Sequence, residues 1–335
     1  MPNYRTKDIR NIAFVGHSGA GKTTLAEALL VKSGVKGEAG TIERGSTTMD
    51  HDPLERTYQH SLDSAIASLD YQGMHLNMID TSGIPDFRGP TLAALAAVEM
   101  TAVVVNAHSG VELATRRLMR RAKQRRLCRM IIVNRIDGDD VDLAQVVEDL
   151  REEFGPECLP VNLPAENLTT VRDCFYHTEG ETDIFSLSEA HEAIIDQVVE
   201  VNEELMEKYL EGEELSREDL HDAFEQALRE GHLVPICFAS AQTGAGVGEL
   251  LDFFKELAPS PRDGNPPPFV KGEGDDAVKV SVSGKSSDHV VAHVFKITND
   301  PFVGKLSIFR IYQGTITPDT QLLIGDARKP FKVGH

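Results

Sequence analysis

The sequence predicts an α/β chain: a doubly wound, mostly parallel sheet with an α-rich insertion, followed by an incomplete all-β barrel. Three observations predict it. Short apolar, β-rich runs alternate with amphipathic helical stretches over residues 1–258, the pattern of strands joined by crossover helices. An acidic, helix-patterned stretch at 155–231 interrupts that alternation as an insertion. A proline-rich linker at 259–270 then separates it from short strands and turns at 271–335, the texture of a small barrel. With 335 residues the chain exceeds one ordinary core.

Taken in order, "NIAFVG" (11–16) reads as a strand and "KTTLAEALLVKSG" (22–34) as a helix, with Leu25 and Leu29 on one face and Gly34 as the stop. Residues 35–60 are polar and too long for a plain connector, so a mobile functional loop is expected. "SAIASLDY", a turn at Gln72–Gly73 and "MHLNMID" form a hairpin unit. "TAVVVNA" (101–107) and "RMIIVN" (129–134) are strands, and "VDLAQVVEDLREEF" (141–154) is an amphipathic helix. Residues 155–185 read as irregular. A helix capped by Ser186 and Glu189 is expected to run through Tyr209, and another follows "SRED" up to Gly231. The sheet resumes at "LVPICFAS" (233–240), before a last helix through Val247, Leu250 and Phe254. The final 65 residues are few for a closed barrel, so a longer parent protein is expected.

The net charge of −19 is uneven. Residues 1–135 carry 18 Lys+Arg against 13 Asp+Glu, 136–230 carry 5 against 29, and 231–335 carry 11 against 11. The acidic middle is a poor nucleic-acid surface and reads as solvated helical faces. Against that background "RRLMRRAKQRRLCR" (116–129) packs eight basic residues. A solvated helix, or one paired with the acidic insertion, is the first reading of Arg116, Arg117, Arg120 and Arg121; an RNA-facing patch is the second. The cysteines at 128, 158, 174 and 237 have no metal or paired spacing, so buried, reduced thiols are expected. No run is apolar enough for a membrane span, and "MPNYRTKDIRNIAFVG" lacks a signal-peptide core. A cytoplasmic monomer without membrane contact is the expectation. His289 and His293 would lie about 13 Å apart along a strand, too far to share a metal.

"GHSGAGKT" (16–23) matches GxxxxGK[ST] between a strand and a helix. Across Gly16, His17, Ser18, Gly19, Ala20 and Gly21 the backbone N–H groups can turn inward around phosphate oxygens. Lys22 supplies charge to the outer phosphates, Thr23 offers a hydroxyl to Mg2+, and Thr24 follows in the helix. Asp80, at a strand end, suits a magnesium site through water, and Gly83 can present its N–H to a terminal phosphate. In "NRID" (134–137) Asn134 can reach a purine's imidazole side, Arg135 can stack on the base, and Asp137 can accept both donors that only guanine has. Ser240 and Ala241 would complete that pocket through the Ala241 N–H.

Together these motifs resemble the translational GTPases of the P-loop class, and elongation factor G and its close paralogues in particular. "RNIAFVGHSGAGKTTLAEALL", "PICFASAQTGAGVGELLDFFKELAPSP" and "DPFVGKLSIFRIYQGTI" carry the likeness beyond the motifs. The resemblance implies GTP and GDP as ligands, Mg2+ as cofactor, and action on or near the ribosome. Three departures qualify it. The family's DTPGH turn reads Asp80-Thr81-Ser82-Gly83-Ile84, so the water-positioning His is replaced by Ile84. The loop Thr that senses magnesium and the γ-phosphate falls at Gln59, with Ser61 two residues on. NKxD has become NRID. Firm nucleotide binding with slow or partner-dependent GTP hydrolysis is therefore expected. A non-ribosomal GTP switch, another P-loop enzyme such as a kinase, and a vestigial structural module are the alternatives.

Overall fold

The computed structural model describes residues 4–333 other than 51, 214, 273, 275, 276, 301 and 326. It separates into two units, one ending at Asn265 and the other beginning at Pro266. This division falls within the stretch expected to be linker.

The first unit contains, in order, β1 (Ile9–Val15), α1 (Lys22–Lys32), α2 (Pro53–Tyr58), β2 (Ala65–Tyr71), β3 (Met74–Asp80), α3 (Arg88–Ala94), β4 (Met100–Asn106), α4 (Leu113–Gln124), β5 (Cys128–Asn134), α5 (Leu143–Phe154), β6 (Cys158–Pro160), β7 (Asn162–Ala165), β8 (Thr170–Asp173), α6 (Leu187–Val199), α7 (Glu203–Leu210), α8 (Arg217–Glu230), β9 (Val234–Ala239) and α9 (Val247–Glu256). The central sheet has seven strands in the order β2-β3-β1-β4-β5-β9-β6. All its pairs are parallel except β2 with β3, a hairpin turned at Gln72–Gly73 where both φ angles are positive. β4, β5 and β9 read as unbroken apolar runs because helices cover both sheet faces, and every residue of β5 and β9 is buried. Parallel alignment delivers the ends of β1, β3, β4, β5 and β9 to one edge. The sequence motifs lie at four of those ends.

Three elements differ from the sequence reading. Residues 155–185 are not irregular: β6 adds to the central sheet beside β9, and β7 pairs with β8. Strands of three or four residues carry too little periodicity to be read. The helix expected to continue through Tyr209 breaks, because the Asn202 side chain accepts the Leu205 N–H (3.1 Å) and starts α7. The basic helix α4 ends at Gln124, so Cys128 and Arg129 belong to strand β5.

The second unit is all β: β10 (Phe269–Lys271) pairs with β11 (Val278–Val280), β12 (Val291–Asp300) with β13 (Gly304–Gln313), and β14 (Gln321–Leu322) with β15 (Phe331–Lys332), all antiparallel. β10 begins inside the expected linker. His293 is exposed on β12, and His289 lies before it, exposed.

Among the described residues no helix is long and apolar enough to cross a membrane. All four cysteines are free and buried. The core of the first unit includes Phe14 and Phe254, both fully buried with ring centroids 6.3 Å apart. Phe14→Ala should cost about 3–5 kcal/mol by loss of transfer energy plus a cavity. The check is a lower urea midpoint with an unchanged slope.

Candidate functional site

The loop of residues 16–21 leaves β1 and closes onto α1. Lys22 is buried and its Nζ donates to the carbonyls of Gly16 (3.1 Å) and His17 (2.9 Å), so the ammonium is folded back into the loop it serves. Burial pushes its pKa down, and Asp80 opposes that shift. His17 is 3 % exposed; Ser109 Oγ lies 3.1 Å and Glu112 Oε1 3.3 Å from its Nε2, while its Nδ1 has no partner among the described residues. Burial lowers its pKa against the pull of Glu112.

Two glycines are required by close approach. Gly21 has φ +88°, and a Cβ there would meet Asn134 Nδ2 at 2.4 Å. A Cβ on Gly83 would sit 2.4 Å from the backbone of His17 and Ser18. The turn after β3 thus lies directly on the phosphate loop. Thr81 Oγ1 donates to the Phe14 carbonyl (2.8 Å), and Ser82 Oγ accepts the Ile84 N–H (3.3 Å). The hydroxyl of Ser82 braces the turn at the position where the family has proline.

Thr23 Oγ1 donates to Asp80 Oδ2 at 2.6 Å, and Asp80 Oδ1 is buried with no partner among the described residues. Thr23 Oγ1 also lies 3.4 Å from Ser61 Oγ. Ser61 donates to Asp50 Oδ1 (3.1 Å), and Thr47 donates to Asp50 Oδ2 (2.7 Å). This corrects the sequence reading, which put Gln59 at the magnesium-sensing position. Gln59 instead takes a left-handed turn (φ 56°) at the end of α2, and that turn carries Ser61 to Thr23. An unpartnered carboxylate oxygen beside two hydroxyls fits a hard cation that prefers oxygen, and Mg2+ is such a cation. No group of three or more His, Cys, Asp or Glu side chains forms a metal cluster among the described residues. Mg2+ takes few protein ligands and keeps phosphate and water oxygens around it.

The loop of residues 35–60 is anchored by a residue that the sequence reading missed. Glu27, on the face of α1 away from Leu25 and Leu29, is fully buried under it. Its carboxylate accepts from Lys36 Nζ (2.6 Å), Gly40 N (2.7 Å) and Thr48 N. Burial alone would raise its pKa, but these donors outweigh burial and hold it below the ordinary value.

Asn134, at the end of β5, is fully buried. Its Nδ2 donates to the Ala20 carbonyl (2.9 Å), and its Oδ1 accepts the Ala241 N–H (3.1 Å). The Ala241 N–H expected to face a base is therefore held inside the framework, and Asn134 acts as a strut. Ser240 is buried and its Oγ accepts the Thr243 N–H (3.1 Å), shaping the turn. Arg135 takes φ 64° and is exposed, as is Asp137.

One cleft of about 450 Å³ gathers Ser18, Gly19, Gly21 to Thr24, Asp50, Tyr58 to Ser61, Thr81, Gly83, Ile84 and Arg135. Asp137, Ser240 and Ala241 do not line it; they sit beyond Arg135 on the same sheet edge. Arg116 pairs with Glu153 (3.0 Å) and Lys123 with Glu157 (3.6 Å), while Arg117, Arg120 and Arg121 are exposed.

Burial raises the Asp80 pKa to about 6, against the lowering effects of Lys22 and the Thr23 bond. A folded-state pKa above the unfolded one means that stability is greatest below the unfolded value and falls as pH rises toward 6. In metal-free buffer without nucleotide the protein should therefore lose roughly 2–3 kcal/mol between about pH 4 and 6 through this group. Asp80→Asn should flatten that part of the profile, as read by denaturant melts across pH.

Comparison with known proteins agrees with this geometry. The family described as "Elongation factor Tu GTP binding domain" matches residues 7–260. Proteins named "Elongation factor G-like protein" are similar over most of the chain. The one from Mycobacterium tuberculosis (strain CDC 1551 / Oshkosh) is 32% identical over 325 residues, 93% of this chain and 45% of that protein. The one from Thermotoga maritima is 30% identical over 341 residues, 98% of this chain and 49% of that protein. A crystal structure of a Thermus thermophilus protein superposes with a TM-score of 0.81 at 32% identity, covering 98% of this chain and 48% of that one. The chain spans about half the length of the curated relatives it matches. A GTP-binding-domain match across most of the chain, on a sheet whose motif-bearing ends converge on one cleft, places this protein among the elongation factor G-like translational GTPases.

Proposed function

We propose that the protein binds GTP and GDP with Mg2+ in this cleft, acts on or near the ribosome, and cleaves GTP slowly unless a partner supplies a missing group. One observation carries the reading. A single cleft unites the phosphate loop, the Ser61 loop, the Thr81–Ile84 turn and Arg135. Lys22 would leave the Gly16 and His17 carbonyls for the outer phosphate oxygens. Thr23, Asp80 and Ser61 would hold the cation, which when bound supplies positive charge to the phosphates. Asp137 would read guanine by accepting its ring and exocyclic N–H groups; adenine would leave that carboxylate unsatisfied. Asn134 would keep the base end and the phosphate end in register.

Ile84 lines the cleft and offers no donor or acceptor in its side chain. A water placed against the terminal phosphate would therefore lack the polar contact that the family's histidine gives. Removing such a group typically costs about two to four decades in rate. The elongation-factor names of the relatives support the ribosome as partner.

Labelled GDP should be displaced by GTP and GDP but not by ATP, and Asp137→Ala should weaken guanine binding by about two orders of magnitude or more. Equal competition by ATP would sink the guanine assignment. In single-turnover assays without a partner, Ile84→His should raise hydrolysis at least about tenfold while leaving GDP affinity unchanged. A wild-type rate already as fast as that of the variant would refute impaired cleavage. Co-sedimentation with ribosomes in a non-hydrolysable GTP analogue, and its absence, would separate a ribosomal factor from a free-standing switch.

A further inference from the structure

A second hollow, of about 470 Å³, lies at the opposite end of strand β5 from the nucleotide cleft. Asn134 ends that strand at the cleft; Arg129 stands second in it, beside the hollow. The lining includes Lys123, Arg126, Arg129 and Arg229, with Glu230 the only acid among the lining residues. These cations arrive from three places: the end of α4 and its following turn, the start of β5, and the end of α8.

The hollow is built and underpaired. Asn265 Nδ2 donates to the carbonyls of Arg126 (2.8 Å) and Arg229 (3.0 Å), which clamps two arginine-bearing segments together. Arg126 takes φ 54°, a backbone region costly for a side chain of its kind. Arg129 is 4 % exposed, yet its guanidinium makes one long bond, 3.4 Å to the Gly231 carbonyl. Glu157 faces both Arg129 and Lys123, and is 3.6 Å from Lys123 Nζ. Arg126 and Arg229 make no ion pair among the described residues. Four cations thus meet two carboxylates, Glu157 and Glu230, in a chain of net charge −19. A mostly buried guanidinium with so few acceptors is costly to the fold unless an anion completes it.

We infer that this hollow is a second site, one that binds a multivalent phosphate, the chemistry common to a free polyphosphate and an RNA backbone. Guanidinium forks match phosphate oxygens in pairs. The exposed Arg117, Arg120 and Arg121 of α4 continue the positive surface away from the hollow, so a ligand longer than the hollow would find further charge. The inference does not depend on what fills the nucleotide cleft.

The test uses the full chain in saturating GDP and magnesium, with two probes: a labelled single-stranded RNA of about ten nucleotides followed by anisotropy, and pyrophosphate followed by calorimetry. Only the component removed by arginine substitution counts. Arg126→Glu with Arg229→Glu should weaken probe binding at least about tenfold and reduce the salt slope for the RNA by about one. Circular dichroism and thermal melting report whether that variant folds. If it does not, Arg126→Gln with Arg229→Gln should show the same loss to a smaller degree. Sensitive binding of RNA supports a backbone site, and sensitive binding of pyrophosphate alone supports a free polyphosphate. Absence of binding by both probes, or binding unmoved by the substitutions, overturns the site.

Discussion

The site depends on the buried side chain of Asn134. It ends a central strand with no exposure, gives one hydrogen bond to the loop after β1 and takes one from the loop after β9. An unsatisfied buried amide costs about 1–3 kcal/mol, so both loops are held at the spacing this one side chain sets. Gly21 lacks a Cβ because the strut passes where a Cβ would be. Gly83 meets the same loop from the other side for the same steric reason. Around these fixed contacts the remaining polar groups find their places.

The second layer of the site is a chain of short oxygen contacts from Asp80 through Thr23 and Ser61 to Asp50 and Thr47. It couples a strand-end carboxylate to a loop more than fifteen residues away in sequence. Glu27 anchors that loop from beneath, by charge and by two backbone N–H groups. The loop is therefore held at two points, one in the helix under it and one at the cation position.

What the sequence revealed follows what is local. The phosphate loop, Asp80 and the NRID turn are contiguous motifs at strand ends, and the alternation of elements places them on one edge. Ser61 was misplaced because its position depends on a left-handed residue after a six-residue helix, which no pairwise spacing encodes. Glu27 looked like an ordinary exposed charge on an amphipathic helix; its burial comes from a loop folded back by tertiary contact. The Ala241 N–H was assigned to a ligand because its competitor, Asn134, is more than a hundred residues away in sequence. The short strands β6, β7 and β8 were read as irregular for want of length.

The four cysteines give the molecule an internal clock. All lie in the first unit and all are buried; burial pushes the Cys128 and Cys158 thiols up to about 12 and raises the other two as well. A thiol-reactive dye can label them only when that unit opens. Because the second unit contains no cysteine, the labelling rate times the breathing of the first unit and is silent on the other.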